Sequence, residues 1–210
     1  HEKIPSEREL CDIYQLSRIT VRQALQELER EGYIYKLQGK GTFVAPVSYN
    51  QNLVKLYSFS EEMRKIGKKP TTIVKSFRKM AMDERLALRM NLAPSEEVYQ
   101  VVRLRSADNE PLMYETSYLP VKYFPELTEN SLTERSMYDI FYQDYKIIVE
   151  KAIERFSAVV VRPEEAYQLN MAPNQPAMLI KRFSYFQESL IEYTISVARG
   201  DKFDYSVELT

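Results

Sequence analysis

Histidine and cysteine are almost missing from this chain: each occurs once, as His1 and Cys11. One histidine at the first position nearly excludes histidine catalysis and histidine-based metal sites. A lone cysteine rules out an internal disulfide and fits a reducing compartment, so a cytoplasmic location is expected. No apolar run approaches about 18 residues and no signal peptide is visible, so no membrane association is expected. An excess of one charge sign is also wanting, with 29 Lys and Arg against 30 Asp and Glu and a net charge of −1. Global charge therefore does not argue for a nucleic-acid partner. Only five glycines are present, none in a phosphate-cradling loop, and no nucleophile–base motif is seen. No cofactor or metal is expected.

What is present is enough apolar material, 44% of 210 residues, to bury a sizeable core in one large domain or a small and a medium one. Pro5-Ser6-Glu7-Arg8-Glu9 reads as a helix start, with Ser6 as cap and Glu9 completing a capping box. Leu10, Ile13 and Tyr14 mark its apolar face. Gln15-Leu16 makes a turn, and Ser17 caps a second helix whose Val21, Ala24, Leu25 and Leu28 recur at the spacing of a buried stripe. Gly32 ends it. Two strands, Tyr33–Leu37 and Thr42–Ala45, then flank a glycine-rich tip, Gln38-Gly39-Lys40-Gly41.

Residues 1–46 hold seven basic and seven acidic side chains, which cancel. Their placement is uneven. Arg18, Arg22, Lys36 and Lys40 sit in the second helix and hairpin, whereas Glu27, Glu29 and Glu31 gather at the far helix end. A short helix carrying two arginines one turn apart, followed by a basic hairpin tip, is what a winged helix-turn-helix needs: a helix for the major groove and a loop for the backbone or minor groove. Arginine donates two parallel hydrogen bonds to guanine O6 and N7, and Ser17 and Thr20 suit phosphate contacts at a helix N-terminus. The alternative for Arg18 and Arg22 is a solvated helix face.

Beyond a polar, aperiodic linker at 47–52, residues 53–210 contain an internal repeat. Asp83–Met90, Asn91-Leu92-Ala93-Pro94 and a strand ending Val101-Val102-Arg103 return seventy-nine positions later as Pro163–Leu169, Asn170-Met171-Ala172-Pro173 and a strand ending Ile180-Lys181-Arg182. Each copy continues into a second strand, bearing Glu115 in the first and Glu192 in the second, with the offset slipping by two near the turns. Two pseudo-symmetric halves sharing one antiparallel sheet are expected, with a ligand site where they meet.

On one strand face, Arg103 and Arg105 can bracket a phosphate or carboxylate. Glu115 and Ser117 share a face of the next strand, as do Glu192, Thr194 and Ser196 in the second half. Ser136 can cap a helix near Met137 and so offer backbone donors to an anion. Arginines for an anion with carboxylates for hydroxyls suit a phosphorylated sugar. The alternative is ordinary cross-strand pairing of Arg103, Arg105, Glu115 and Glu192. Tyr114, Tyr118, Phe183 and Tyr185 read as core or dimer surface. Arg199-Gly200-Asp201 reads as a tight turn with a local ion pair.

Pro5 to Leu10, Ser17-Arg18-x-Thr20-Val21-Arg22-x-Ala24-Leu25, Glu31-Gly32 and Gln38 to Val44 resemble the DNA-binding domain of GntR-type bacterial repressors. The remainder resembles the effector domain of the HutC subfamily, called UTRA, which shares its fold with chorismate lyase. Its marks are Arg103-Leu104-Arg105, Asp108-x-Glu110-Pro111, Glu115 to Pro120, Ser136-Met137-Tyr138, Glu192-Tyr193-Thr194 and Arg199-Gly200-Asp201. The resemblance implies an α+β chain: an N-terminal winged helix-turn-helix over 1–46, whose family-typical first helix would precede Lys3, and a chorismate-lyase-like effector-binding and dimerisation domain over 53–210. It implies DNA contacts at Arg8, Ser17, Arg18, Thr20, Arg22, Gln38, Gly39 and Lys40. It implies an effector pocket at Arg103, Arg105, Glu115, Ser136, Tyr138 and Glu192. A homodimeric repressor on a pseudo-palindromic operator, released by a small anionic effector, follows. The sequence departs from the family at Gln15, often glycine, and at Ala198, often tyrosine; the second bears on which ligand is taken. Two rivals are a stand-alone ligand-binding module and a lyase-like enzyme acting on a small carboxylate.

Overall fold

The computed structural model describes residues 2–30, 33–37, 39–44, 49–52 and 58–206, and the chain divides into two compact units, 1–49 and 50–210. The expectations for Gly32, Gln38, Ala45, Pro46 and positions 47–48 lie outside the described residues.

In the first unit, α1 (Glu7–Tyr14) opens on the expected capping box: the Glu9 carboxylate accepts from the Ser6 N–H at 2.7 Å, and the Ser6 hydroxyl accepts from the Glu9 N–H. Gln15 closes α1 in the left-handed region, φ 55°, a backbone that glycine enters at lower cost. The Ser17 hydroxyl accepts from the Thr20 N–H at 3.2 Å and starts α2 (Arg18–Arg30). β1 (Ile34–Leu37) and β2 (Gly41–Val44) pair antiparallel, and the chain near Lys3 bridges to Phe43. Val21, Leu25 and Ile34 form the core, with Ile4, Leu10 and Cys11 against it. The expected stripes are only half used. Ala24 and Leu28 are exposed, as are Ile13 and Tyr14, because no described segment of this unit covers that side of α1 and α2.

The second unit is built on a six-stranded antiparallel sheet ordered β4-β5-β6-β9-β8-β7. The first half runs β4 (Pro70–Ala81), α4 (Glu84–Met90), β5 (Glu97–Ala107), β6 (Glu110–Pro120). The second runs β7 (Lys151–Val160), α7 (Pro163–Gln168), β8 (Pro176–Phe186), β9 (Ser189–Arg199). Between the halves lie α5 (Glu129–Glu134) and α6 (Met137–Tyr145), and α3 (Phe59–Lys65) precedes the first. β3 (Tyr49–Asn52), which covers part of the linker expected at 47–52, pairs with β10 (Phe203–Ser206) in a separate two-stranded sheet.

The repeat is in stricter register than the sequence reading supposed. Both hairpins turn on two residues with positive φ, Asp108-Asn109 and Gln187-Glu188, the signature of a type I′ turn. Both carry one bulge, at Leu112 and at Ile191, each fully buried. The seventy-nine-residue offset therefore passes through the turns without slipping. Glu115 corresponds to Thr194 and Glu192 to Met113, so the two carboxylates are not equivalent, whereas Arg103 and Arg182 are. The pairing of β6 with β9 maps onto itself about Thr116↔Ile195, which places the pseudo-two-fold axis there, perpendicular to the sheet.

α4 and α7 cover one face, over cores built on Met90, Val98 and Tyr193 and on Leu104, Leu169 and Val197. Phe183 and Tyr118 stack on Tyr193 here, at 4.8 and 6.0 Å between ring centroids, and Tyr114, Tyr118, Phe183 and Tyr185 pack half-buried against these cores. α5 and α6 cover the other face, where Phe124 and Phe141 stack at 4.3 Å. Beside that core, the middle of β5, β6 and β9 on the same face carries buried polar residues, among them Arg103, Glu115, Ser117 and Thr194.

Candidate functional sites

On the first unit, Arg8, Ser17, Arg18, Thr20, Arg22, Gly39 and Lys40 are all exposed. Arg18 and Arg22 line one groove of about 250 Å³ on α2 together with Ile19, Gln23 and Gln26. Gln23 and Gln26 were not singled out from sequence, although glutamine reads adenine as arginine reads guanine. Arg22 is also tied to α1, donating from Nε and Nη2 to the Glu7 carboxylate at 3.3 and 3.1 Å. That pair is solvent-exposed and holds the side chain against the groove wall at little energetic cost. Ser17 and Thr20 hydroxyls bond each other at 2.8 Å above the N-terminus of α2. Gly39, φ 74°, turns the hairpin tip; at Gly41, φ 120°, a Cβ would sit 2.6 Å from the Lys3 side chain.

On the second unit, the six residues expected to bind effector, Arg103, Arg105, Glu115, Ser136, Tyr138 and Glu192, line one cavity of about 60 Å³. Its floor is the centre of the sheet. Its walls are the first residues of α6 and, from α3, Ser58 and Phe59. This volume holds only a few waters, so any larger occupant must push the helical walls outward.

Charge here is buried and shared. Glu115 accepts from Arg103 Nη2 at 2.6 Å and Arg105 Nη1 at 3.0 Å, with all three side chains at most 9% exposed. The cross-strand pairing Arg103↔Glu115 is thus real, and it lies inside the cavity rather than replacing it. Burial opposes ionisation of Glu115, but Arg103, Arg105 and Arg182 together outweigh it and hold the carboxyl below the usual range. Burial, with repulsion from Arg103, pulls the Arg105 guanidinium below its ordinary value; Glu115 offsets part of this. Arg105 also donates to the Ser60 hydroxyl at 3.0 Å and lies 4.8 Å from the Phe59 ring centroid. The Nε–H of Arg103 and that of Arg105 are buried with no acceptor among the described residues.

Among the described residues no guanidinium pairs with Glu192 directly. It accepts from Thr194 at 2.6 Å, Ser184 at 2.6 Å and Tyr138 at 2.9 Å. A hydroxyl chain runs into it. Arg103 donates to Ser117 at 3.2 Å, Ser117 meets Thr194 at 2.7 Å, and Thr194 donates to Glu192. From the other half, Arg182 donates to the Tyr138 hydroxyl at 2.9 Å, which donates to Glu192. Burial, reinforced by Glu192 and opposed by Arg182, pushes the Tyr138 hydroxyl up to about 12, so it stays a neutral donor at physiological pH.

Ser136 is the N-cap of α6, as expected, but its hydroxyl makes no capping bond; it stands on the cavity wall. Arg182, Glu154 and Phe59 line the cavity and were missed as site residues. The repeat itself carried the signal for Arg182, as the mate of Arg103. Arg199 and Asp201 form the expected local ion pair at 2.6 Å. Among the described residues no cluster suits a metal ion, and no helix is long and apolar enough to cross a membrane.

Residues 1–44 match the family model for bacterial regulatory proteins of the gntR family, and residues 65–204 match the UTRA domain. The chain belongs to the GntR family, in the group that carries a UTRA domain. The HTH-type transcriptional repressor NagR of Bacillus subtilis strain 168 is 33% identical over 203 residues, covering 96% of this chain and 83% of that protein. TreR, a transcriptional regulator from the same strain, is 30% identical over 206 residues, covering 97% and 86%. The crystal structure of PhnF from Mycobacterium smegmatis superposes with a TM-score of 0.81 at 28% identity, over 100% of this chain and 92% of that one. This GntR–UTRA protein is therefore a transcriptional regulator and not an enzyme. Its cavity lies wholly within the UTRA match apart from Ser58 and Phe59.

Proposed function

We propose that this regulator is a cytoplasmic, homodimeric repressor whose operator binding is controlled by a small anionic effector, most simply a sugar phosphate. Residues 1–46 are the DNA-reading domain and 53–210 the effector and dimerisation domain. Arg18 and Arg22 read base edges, with Gln23 and Gln26 beside them. Arg8, Ser17, Thr20, Gly39 and Lys40 hold the backbone, a role also assigned to Gln38. A relative named as a repressor supports the sign of regulation.

The observation that carries the effector class is the pair of buried arginines that share one carboxylate and each keep an Nε–H without acceptor. Buried donors left unpaired are costly, and a phosphate supplies the missing acceptors. Glu115, Glu192, Ser136 and Tyr138 then offer partners for sugar hydroxyls. The test is a thermal-shift panel of matched sugars with and without phosphate. Phosphorylated members should stabilise the parent and leave Arg103→Ala unmoved. Equal shifts in both proteins would sink the anion assignment.

A further inference from the structure

Ile19, at 71% exposed, is the most exposed large apolar side chain among the described residues of the first unit. Its exposure has a different origin from that of Leu28 on the same helix. At about 100° of turn per residue, Val21, Ala24, Leu25 and Leu28 fall within one arc of about 100°, so Leu28 continues the buried stripe. Ile19 falls at least about 120° from each of them. A segment packed on that stripe would cover Leu28 and leave Ile19 in solvent. Ile19 belongs instead to the groove of about 250 Å³ on α2, whose other lining residues, Arg18, Arg22, Gln23 and Gln26, all carry hydrogen-bonding side chains. Arg22 and Gln23, three and four positions on, are its neighbours on the helix surface. Ile19 is also the second residue of α2, and a recognition helix meets base edges with its N-terminal residues. A single exposed isoleucine is ordinary on a protein surface; its place amid four base-reading side chains gives this one a role.

We propose that Ile19 reads a thymine of the operator, by packing against its C5-methyl group beside the bases that Arg22 and Gln23 contact. The proposal rests on the DNA-reading role proposed above, and it assigns a base to a side chain that can form no hydrogen bond. In the major groove guanine, adenine and cytosine present polar edges, and thymine alone adds an apolar group. Against guanine O6 or the cytosine amino group, an isoleucine side chain displaces water and returns no partner, so those bases are penalised. Against the thymine methyl both surfaces leave water, and burial of one such group is worth about fourfold in affinity. Attraction to one base and a penalty on the others make Ile19 a specificity element, where the exposed arginines and lysine also serve general affinity.

Gel-shift titrations with the full chain test this on duplexes that the chain selects from a random-sequence pool. Each thymine of the selected half-site is replaced in turn by deoxyuridine, which removes the methyl and leaves every hydrogen-bonding group in place. One such change should weaken binding about three- to tenfold. Ile19→Ala should bind the thymine duplex weaker than the parent by about the same factor, yet lose less than about twofold on the same change to deoxyuridine. That non-additivity marks a direct contact, which a general loss of structure would not produce. Ile19→Ala should also melt as the parent does, because its side chain is exposed. Selection repeated with Ile19→Gln should no longer retain thymine at that position. Binding indifferent to every methyl, a methyl effect undiminished in Ile19→Ala, or thymine retained with Ile19→Gln overturns the role of Ile19 and leaves the DNA-reading domain standing. Recovery of no preferred sequence by the parent overturns both.

Discussion

Glu115 stands between two guanidinium groups, and without it both would face each other across a buried cavity. Removing one partner from a buried ion cluster costs far more than an exposed pair is worth, so Glu115→Gln should destabilise the UTRA unit by about 3 kcal/mol at neutral pH. Inorganic phosphate should restore more stability to that variant than to the parent, read by thermal melts with and without the anion. The pH dependence has a fixed sign. The folded chain holds Glu115 below the free carboxyl value of about 4.3, so its contribution is complete above that value and drains away as pH falls through the lower folded one. The gap between parent and Glu115→Gln should therefore be widest near neutrality and close in acid. Arg22 belongs to the same scale. Arg22→Ala should weaken operator binding by about 1–3 kcal/mol while leaving the melting temperature nearly unchanged, as measured by gel-shift titration with the complete DNA-reading unit.

At the scale of elements, the two hairpins are the clearest comparison, because they have the same geometry and different sequences. The first turn uses Asp108-Asn109, residues that tolerate positive φ; the second uses Gln187-Glu188, which tolerate it less well. Replacing Gln187-Glu188 by Asn-Gly should raise stability by about 0.5–1 kcal/mol in a denaturant titration. The matching change at Asp108-Asn109 should gain less. The helices tell a related story about legibility. Capping residues announced α1 and α2 because a cap is a local bond between residues three apart. The buried stripe of α2 was read as four residues and is two, since periodicity reports which side is apolar and not what covers it.

For the whole molecule, control of DNA by a ligand is a coupling free energy and must act in both directions. If effector weakens operator binding by some factor, saturating operator should weaken effector binding by the same factor. Two titrations, one by gel shift and one by calorimetry, check this; unequal factors would mean the ligand is acting elsewhere. Most of this organisation was readable in the chain. The repeat foretold a doubled sheet, and strand alternation put Arg103 and Arg105 on one face; the full set of six pocket residues came from the family resemblance, since Ser136 and Tyr138 belong to α6 and lie outside the repeat. The non-equivalence of Glu115 and Glu192 was not readable, since a turn and a bulge must both be located before register is known. Nor was the role of α3, because its contact with Arg105 spans 45 positions of sequence and leaves no local trace.

The hydroxyls that end on Glu192 have a consequence of their own. A guanidinium has only protons to give and a carboxylate only lone pairs, so Ser117, Thr194 and Tyr138 each have a single way to point. Direction is imposed from both ends and meets at one side chain. A guest that claims the lone pairs of Glu192 would free those rotors to swing, and residues on β6, β9 and α6 would register its arrival without any strand having to shift.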